Sequence, residues 1–361
     1  MRLSIIVLVV ALLTGPAVAA EAVRFASFNA ALTEDEAGAL ARRLAGGGDG
    51  AARRVAETIQ RVRPDVLALQ EIDRDEDGEA LAIFLREYLA VPQNGAEPVL
   101  YPHVLHPPSN TGVPTGVDVD GDGAVGGPGD ARGFGRHRGQ YAFALLSRLP
   151  LGEARTFADL LWRDVPGSLM PADYYSQAAM AVMPLSSKTH LAVPVATPFG
   201  EVWVLAAHPT PPVFDDARDW NGRRNADEIR LLAAMLDPAG GGFLVDDAGR
   251  AGGIPEGAEA VVLGDLNADP DRGDSRPGAI ERLLDHPRLV DPVPTSSHGN
   301  VTADFNGGMR VDYVLPTDGL AVRESGVFWP ASGDPLARLN GASDHRLVWV
   351  DVAPAPLSAA R

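Results

Sequence analysis

Short apolar runs, each ending abruptly in polar residues, recur along the 361-residue chain and set its predicted architecture. The central one is Ala260-Val261-Val262-Leu263, which reads as a buried strand. It breaks at Gly264 and delivers Asp265 and Asn267 to a loop closed by Pro270, which cannot continue a central strand. Residues two apart face the same way wherever an extended shape persists. Taken alone, this stretch reads equally well as a turn, since Asp and Asn favour turns. Similar runs predict strands over Val23–Asn29, Val66–Ile72 with Glu71 near its exit, Gly139–Ser147 with Tyr141, Ala178–Met183 and Leu191–Val195. Further strands are predicted over Glu201–His208, Val311–Leu315 with Asp312, Leu320–Trp329 and Leu347–Val352. Val55, Ile59 and Val62 are spaced for an amphipathic helix over Ala51–Val62, stopped by Arg63-Pro64-Asp65. Other helices are expected over Leu81–Leu89, through Ile229, Leu232 and Leu236, and over Ile280–Leu284. Strands and helices continue in one series without a linker. This predicts an α/β chain with one domain over residues 21–355 and a tail over 356–361.

Residues 1–20 change the picture of where the chain works. Arg2, an apolar run from Leu3 to Leu13, the breaker Gly15-Pro16 and the small residues Ala17-Val18-Ala19-Ala20 form a signal-peptide pattern. The expectation is a secreted or periplasmic protein with no stable membrane insertion after cleavage. The run is shorter than the roughly 20 residues a spanning helix needs. Lys and Arg total 31 against 48 Asp and Glu, a net charge of -17. That is a poor footprint for tight duplex binding, which rests on neutralising phosphates. It leaves room for a nuclease with a locally basic cleft or for a small substrate. The chain has no cysteine. Disulfides, thiolate-held zinc and lipidation of an N-terminal Cys are therefore excluded, whereas oxygen-ligated Mg²⁺, Mn²⁺ or Ca²⁺ is not.

The candidate chemistry sits at the ends of these runs: Asn29, Glu71, His208, Asp265, Asn267, Asp312, Asp344 and His345. Strand ends in α/β folds gather at one edge, where sites form. Acids, amides and imidazoles without thiols suit a hard cation and acid–base chemistry on a phosphate. Arg223 and Arg224, near a helix start, could clamp an anionic substrate; the competing reading is surface pairing with Asp227 or Glu228. Between Gln93 and Gly139 the chain is irregular. There Asp118-Val119-Asp120-Gly121-Asp122-Gly123 matches the first half of a calcium loop. Its twelfth place holds Gly129 rather than Glu, with Asp130 following, so a calcium site and a plain acidic loop both stand.

Five motifs in order carry a resemblance: Ser27-Phe28-Asn29, Leu69-Gln70-Glu71, Gly264-Asp265-Leu266-Asn267, Val311-Asp312-Tyr313 and Ser343-Asp344-His345. The chain resembles the endonuclease/exonuclease/phosphatase superfamily over Val23 to Val352. The resemblance implies a four-layer sandwich of two packed mixed β-sheets flanked by helices. It also implies a cation, Mg²⁺ or Mn²⁺, on Glu71 with Asn29 and Asp344 nearby. Asp265 would deprotonate the attacking water, and Asn267 would donate to the phosphate. Asp312 would hold His345 as a phosphate-binding imidazolium. His208 would protonate the leaving oxygen or bind the phosphate, and Tyr141 would contact it. The acidic loop before Tyr141 and the insert after His208 lie outside the common core. The function expected is hydrolysis of phosphodiesters, with nucleic acid among the candidate substrates. The alternatives are a phosphatase or phospholipase C-like enzyme on small esters or lipid headgroups, a catalytically silent binding module, and a calcium-stapled structural protein.

Overall fold

The apolar runs pair into two sheets. The computed structural model describes residues 21–237 and 241–356, so the expected signal segment and residues 357–361 of the tail lie outside the described residues. In chain order the strands are β1 (Val23–Leu32), β2 (Val66–Ile72), β3 (His103–Leu105), β4 (Phe143–Ser147), β5 (Arg155–Thr156) and β6 (His190–Thr197). They continue as β7 (Gly200–Ala207), β8 (Ala260–Asp265), β9 (Asp312–Pro316), β10 (Leu320–Val327) and β11 (Val348–Pro354). One sheet has six strands in the order β10-β11-β1-β2-β4-β3, and the other has five in the order β5-β6-β7-β8-β9. Both are mixed: β1 and β2 run parallel, as do β7 and β8, among antiparallel neighbours.

Alternation along the strands explains the layers. Phe25, Ala68, Leu145 and Val350 of the first sheet pack against Val193, Val204, Leu263 and Val314 of the second. On the outer face of the first sheet, Phe28, Leu67 and Leu69 meet α2 (Gly50–Val62) through Val55 and Ile59, flanked by α1 (Ala39–Leu44) and α3 (Glu79–Ile83). On the outer face of the second, Leu205, Val262 and Leu315 join a cluster with α4 (Gln177–Val182), α5 (Trp220–Leu236) and α6 (Glu281–Leu284). Each sheet is thus covered on both faces, which is why its strands read as near-continuous apolar runs. The result is the expected four-layer sandwich. Among the described residues, no helix is long and apolar enough to cross a membrane.

Several elements depart from the expectation. Ala178–Met183 is not a strand: it lies mostly in α4, whose N-cap Ser176 accepts a hydrogen bond from the Ala179 amide at 3.1 Å. Its Ala and Met residues favour a helix, and a short apolar run has no period that separates the two forms. The helix expected over Leu81–Leu89 is α3 continued by a π-helical turn over Phe84–Leu89. The stretch before Phe143 is a turn, because Tyr141 takes a left-handed backbone with φ 58°.

Candidate active site

Strand parity brings the polar ends together. Val261 and Leu263 face the space between the sheets, and Asp265 continues that face; so do His208 beyond Val204 and Ala206, and Asp312 before Val314. Asn29 follows Phe25 on the facing sheet. Glu71 breaks the rule: its parity matches Leu67 and Leu69 on the helix side, and a left-handed backbone, φ 53°, turns it toward Asn29. Strain of this kind in a non-glycine residue is typical of functional sites. Gly264 lets the sheet close here, since a Cβ at that position would lie 2.1 Å from the Ala207 carbonyl oxygen.

Asp265 is the hub. Its Oδ2 accepts a hydrogen bond from Asn29 Nδ2 at 3.0 Å and lies 3.5 Å from His208 Nε2 and 3.6 Å from His345 Nε2. Its Oδ1 accepts from the Asn267 amide at 3.0 Å. His345 Nδ1 pairs with Asp312 Oδ2 at 3.0 Å, which orients the ring toward Asp265. Asp265, Asp312, His208 and His345 are all buried. Asn267 takes a left-handed backbone, φ 53°, and its Nδ2 donates to the Pro209 carbonyl at 3.1 Å.

Burial and neighbouring charges perturb the titrating groups of this cluster. Burial pushes the Asp265 carboxyl up to about 6, against the opposing pull of the His345 charge. Burial also raises Glu71, partly offset by its bond from Asn29, while the Asp265 charge adds to the rise. Burial alone would depress His345, but Asp312 and Asp265 outweigh it and lift the imidazolium to about 10. His208 goes the other way: burial, then the charges of Lys188 and His345, hold it well below the ordinary histidine range. Its Nδ1 and the Asp312 Oδ1 are buried without partners among the described residues.

Lys188 is a site residue the sequence reading did not single out. It is buried, its Nζ donates to the Pro209 carbonyl at 3.4 Å, and its charge acts on Glu228, Glu71 and Asp265. Helix α5 braces this region from behind. Glu228 accepts from the Ser187 amide at 2.7 Å and from the Thr210 amide at 2.6 Å, and Asn225 Nδ2 donates to the Thr210 and Leu266 carbonyls, both at 2.9 Å.

The remaining candidates are placed differently. Tyr141 shares a cavity with Glu71, Lys188 and His208, and its amide donates to Asp73 Oδ1 at 3.1 Å. Asp344 is exposed beside His345 and accepts from Ser343 Oγ at 3.3 Å. Arg224 is buried and donates to the carbonyls of Leu185, Arg132 and Pro184 at 2.9, 2.6 and 3.0 Å, while Arg223 Nε donates to the Arg218 carbonyl at 3.0 Å. In the acidic loop, ligand-type oxygens of Asp118, Asp120 and Asp130 lie within 4.8 Å of one another, and Asp122 is outside that group. Loop amides already satisfy these carboxylates: Asp118 accepts from Gly121 and Gly123, Asp130 from Val119 and Gly126.

Comparison with known proteins bears on the fold and the family. No curated protein matches the sequence. An endonuclease/exonuclease/phosphatase from Beutenbergia cavernae is 19% identical, with 94% of this chain and 73% of that chain covered at a TM-score of 0.56. An endonuclease/exonuclease/phosphatase family protein from Leptotrichia buccalis is 15% identical, with 92% and 99% covered at 0.51. At these identities the likeness speaks for the fold. The Endonuclease/Exonuclease/phosphatase family model matches residues 26–345, which takes in every motif at the rim of the sandwich. The chain therefore belongs to the endonuclease/exonuclease/phosphatase family, whose members are metal-dependent phosphoester hydrolases.

Proposed function

We propose that this protein is a secreted, divalent-metal-dependent phosphodiesterase. The observation that carries the reading is the convergence of Asn29, His208 and the His345–Asp312 pair on one buried carboxylate, Asp265. Two carboxylates raised by burial, Glu71 and Asp265, face each other's charge there, and a divalent cation would relieve that repulsion. The donors are oxygens, which suits Mg²⁺ or Mn²⁺. Glu71 would hold the ion, with Asn29 and Asp344 nearby. The Asp265–Asp312–His345 group also lies within 4.8 Å, but its imidazolium already occupies the space between the two carboxylates. When bound, the cation polarises a phosphoryl oxygen and offsets developing charge.

The chain's own groups supply the rest. Asp265, once ionised, accepts a proton from the attacking water. His345, kept charged by Asp312, binds an anionic phosphate oxygen. Asn267 has a second amide hydrogen to donate to the phosphate as charge builds. His208, held neutral, serves as a hydrogen-bond partner to the phosphate, and the Tyr141 phenol reaches it from the cavity wall. Export is supported by the signal pattern of residues 1–20. The test is hydrolysis of bis(4-nitrophenyl) phosphate by protein recovered from the exported fraction, with its mass checked for loss of that segment. EDTA should abolish turnover, Mg²⁺ or Mn²⁺ should restore it, and Glu71→Gln should need at least about tenfold more metal. Turnover that survives EDTA would overturn the reading.

A further inference from the structure

The acidic loop before Tyr141 and the segment after His208 meet at one cavity. It measures about 630 Å³, within the size range of small-molecule sites, and opens on Glu71, Tyr141, Lys188 and His208. Its floor is apolar and buried, with Val119 and Ala131 from the acidic loop beside Tyr175 and Met183. Its rim is aromatic and exposed: Phe134 is 60% exposed and Phe214 90%. Phe214 has a left-handed backbone, φ 67°, and its loop is pinned on both sides. Asn221 Nδ2 donates to the Val213 carbonyl at 2.7 Å, and the Asn221 amide donates to Asp215 Oδ2 at 2.8 Å. Tyr174 and Trp220, also in the wall, stack with ring centroids 4.0 Å apart. Thr210 Oγ1, buried in the same lining, has no partner among the described residues.

A held, exposed phenylalanine above a buried apolar floor, a few residues from the phosphate site, is a place for an apolar group of the substrate. Resting on the phosphoesterase reading, we infer that these inserts form a pocket for one planar ring esterified to the scissile phosphate, and that the substrate is a small ring-bearing phosphoester rather than the interior of a duplex. Tyr174 and Trp220 are engaged with each other and with Arg218, so it is the exposed rings of Phe134 and Phe214 that favour a ring. A floor limits the pocket to one terminal group. Asp120 lines the cavity and Asp215 follows Phe214, but Asp216 is paired with Arg218 at 2.6 Å and the cations Lys188 and Arg224 also line the cavity, so shape rather than charge sets the preference for a short ester. The ring could belong to a nucleoside or to an aryl alcohol.

The test is calorimetric binding, with Mg²⁺, of phenyl phosphate, thymidine 5′-monophosphate and methyl phosphate to the full chain. Both ring-bearing esters should bind at least about tenfold more tightly than methyl phosphate. The tighter of the two identifies the source as aryl or nucleoside. The double variant Phe134→Ser, Phe214→Ser changes two exposed residues and should shrink that ratio at least about threefold. Equal affinities for all three, a ratio unchanged in the double variant, or preferential sedimentation with phosphatidylcholine vesicles that the double variant loses would overturn the inference. Because binding needs no turnover, tight ring binding without hydrolysis would uphold the pocket and count only against the catalytic reading.

Discussion

At the residue scale, the proposed mechanism turns on a carboxylate held at the edge of ionisation. Asp265 is raised to about 6, so it is an effective base only above that pH. His345 is raised to about 10 and stays charged across the neutral range. The rate should therefore rise with pH, with its acid midpoint at or below about 6 once a cation adds its own field. Asp312→Asn removes the largest of the three charges that support the imidazolium, so the alkaline limb should move to lower pH in a kcat/KM profile. The same shift bears on stability. A histidine raised above its ordinary 6.5 stabilises the fold fully below that value, and the contribution is lost as pH rises through about 10. These residues were legible in sequence because each follows or precedes an apolar run. Lys188 was not: it lies in the polar stretch Ser186-Ser187-Lys188-Thr189, and only packing against α5 and the turn at Pro209 buries it.

At the scale of elements, strands read more securely than anything between them. The run Val66–Ile72 predicted β2 to the residue, because both faces of a covered sheet are apolar. Ala178–Met183 misled, since the signal that makes it α4 is the Ser176 cap just before it rather than its own hydrophobicity. The short strands β3 and β5 left no readable period, being three and two residues long. The turn of Glu71 into the site could not be read from alternation, which assigns it to the opposite face. One element has a sharp requirement. Gly264 lies where β8 passes the end of β7, and any Cβ there meets the Ala207 carbonyl oxygen at 2.1 Å. Gly264→Ala should cost about 1–3 kcal/mol in urea denaturation and also lower activity, because the clash displaces Asp265. An unchanged unfolding midpoint with full activity would show that the close approach is not needed.

At the scale of the whole molecule, the site exists only because two sheets close on each other. Asn29 and Glu71 come from the first sheet, His208, Asp265 and Asp312 from the second, and His345 from the segment leading into β11. Apart from the turn of Glu71, that gathering was foreseeable, since strand ends in such folds converge on a rim. The pocket beside it was not, because its walls come from the irregular stretch before Tyr141 and the insert after His208, where no period constrains the chain. A net charge of -17 fits the small substrate these walls suggest. The central claim is that the gathered groups form a working centre around Asp265. Asp265→Asn keeps the shape and removes the base, so its kcat/KM on bis(4-nitrophenyl) phosphate with Mg²⁺ or Mn²⁺ measures that claim directly. With folding verified by circular dichroism, the account predicts a loss of at least about 10²-fold. A folded variant with wild-type kcat/KM would contradict it.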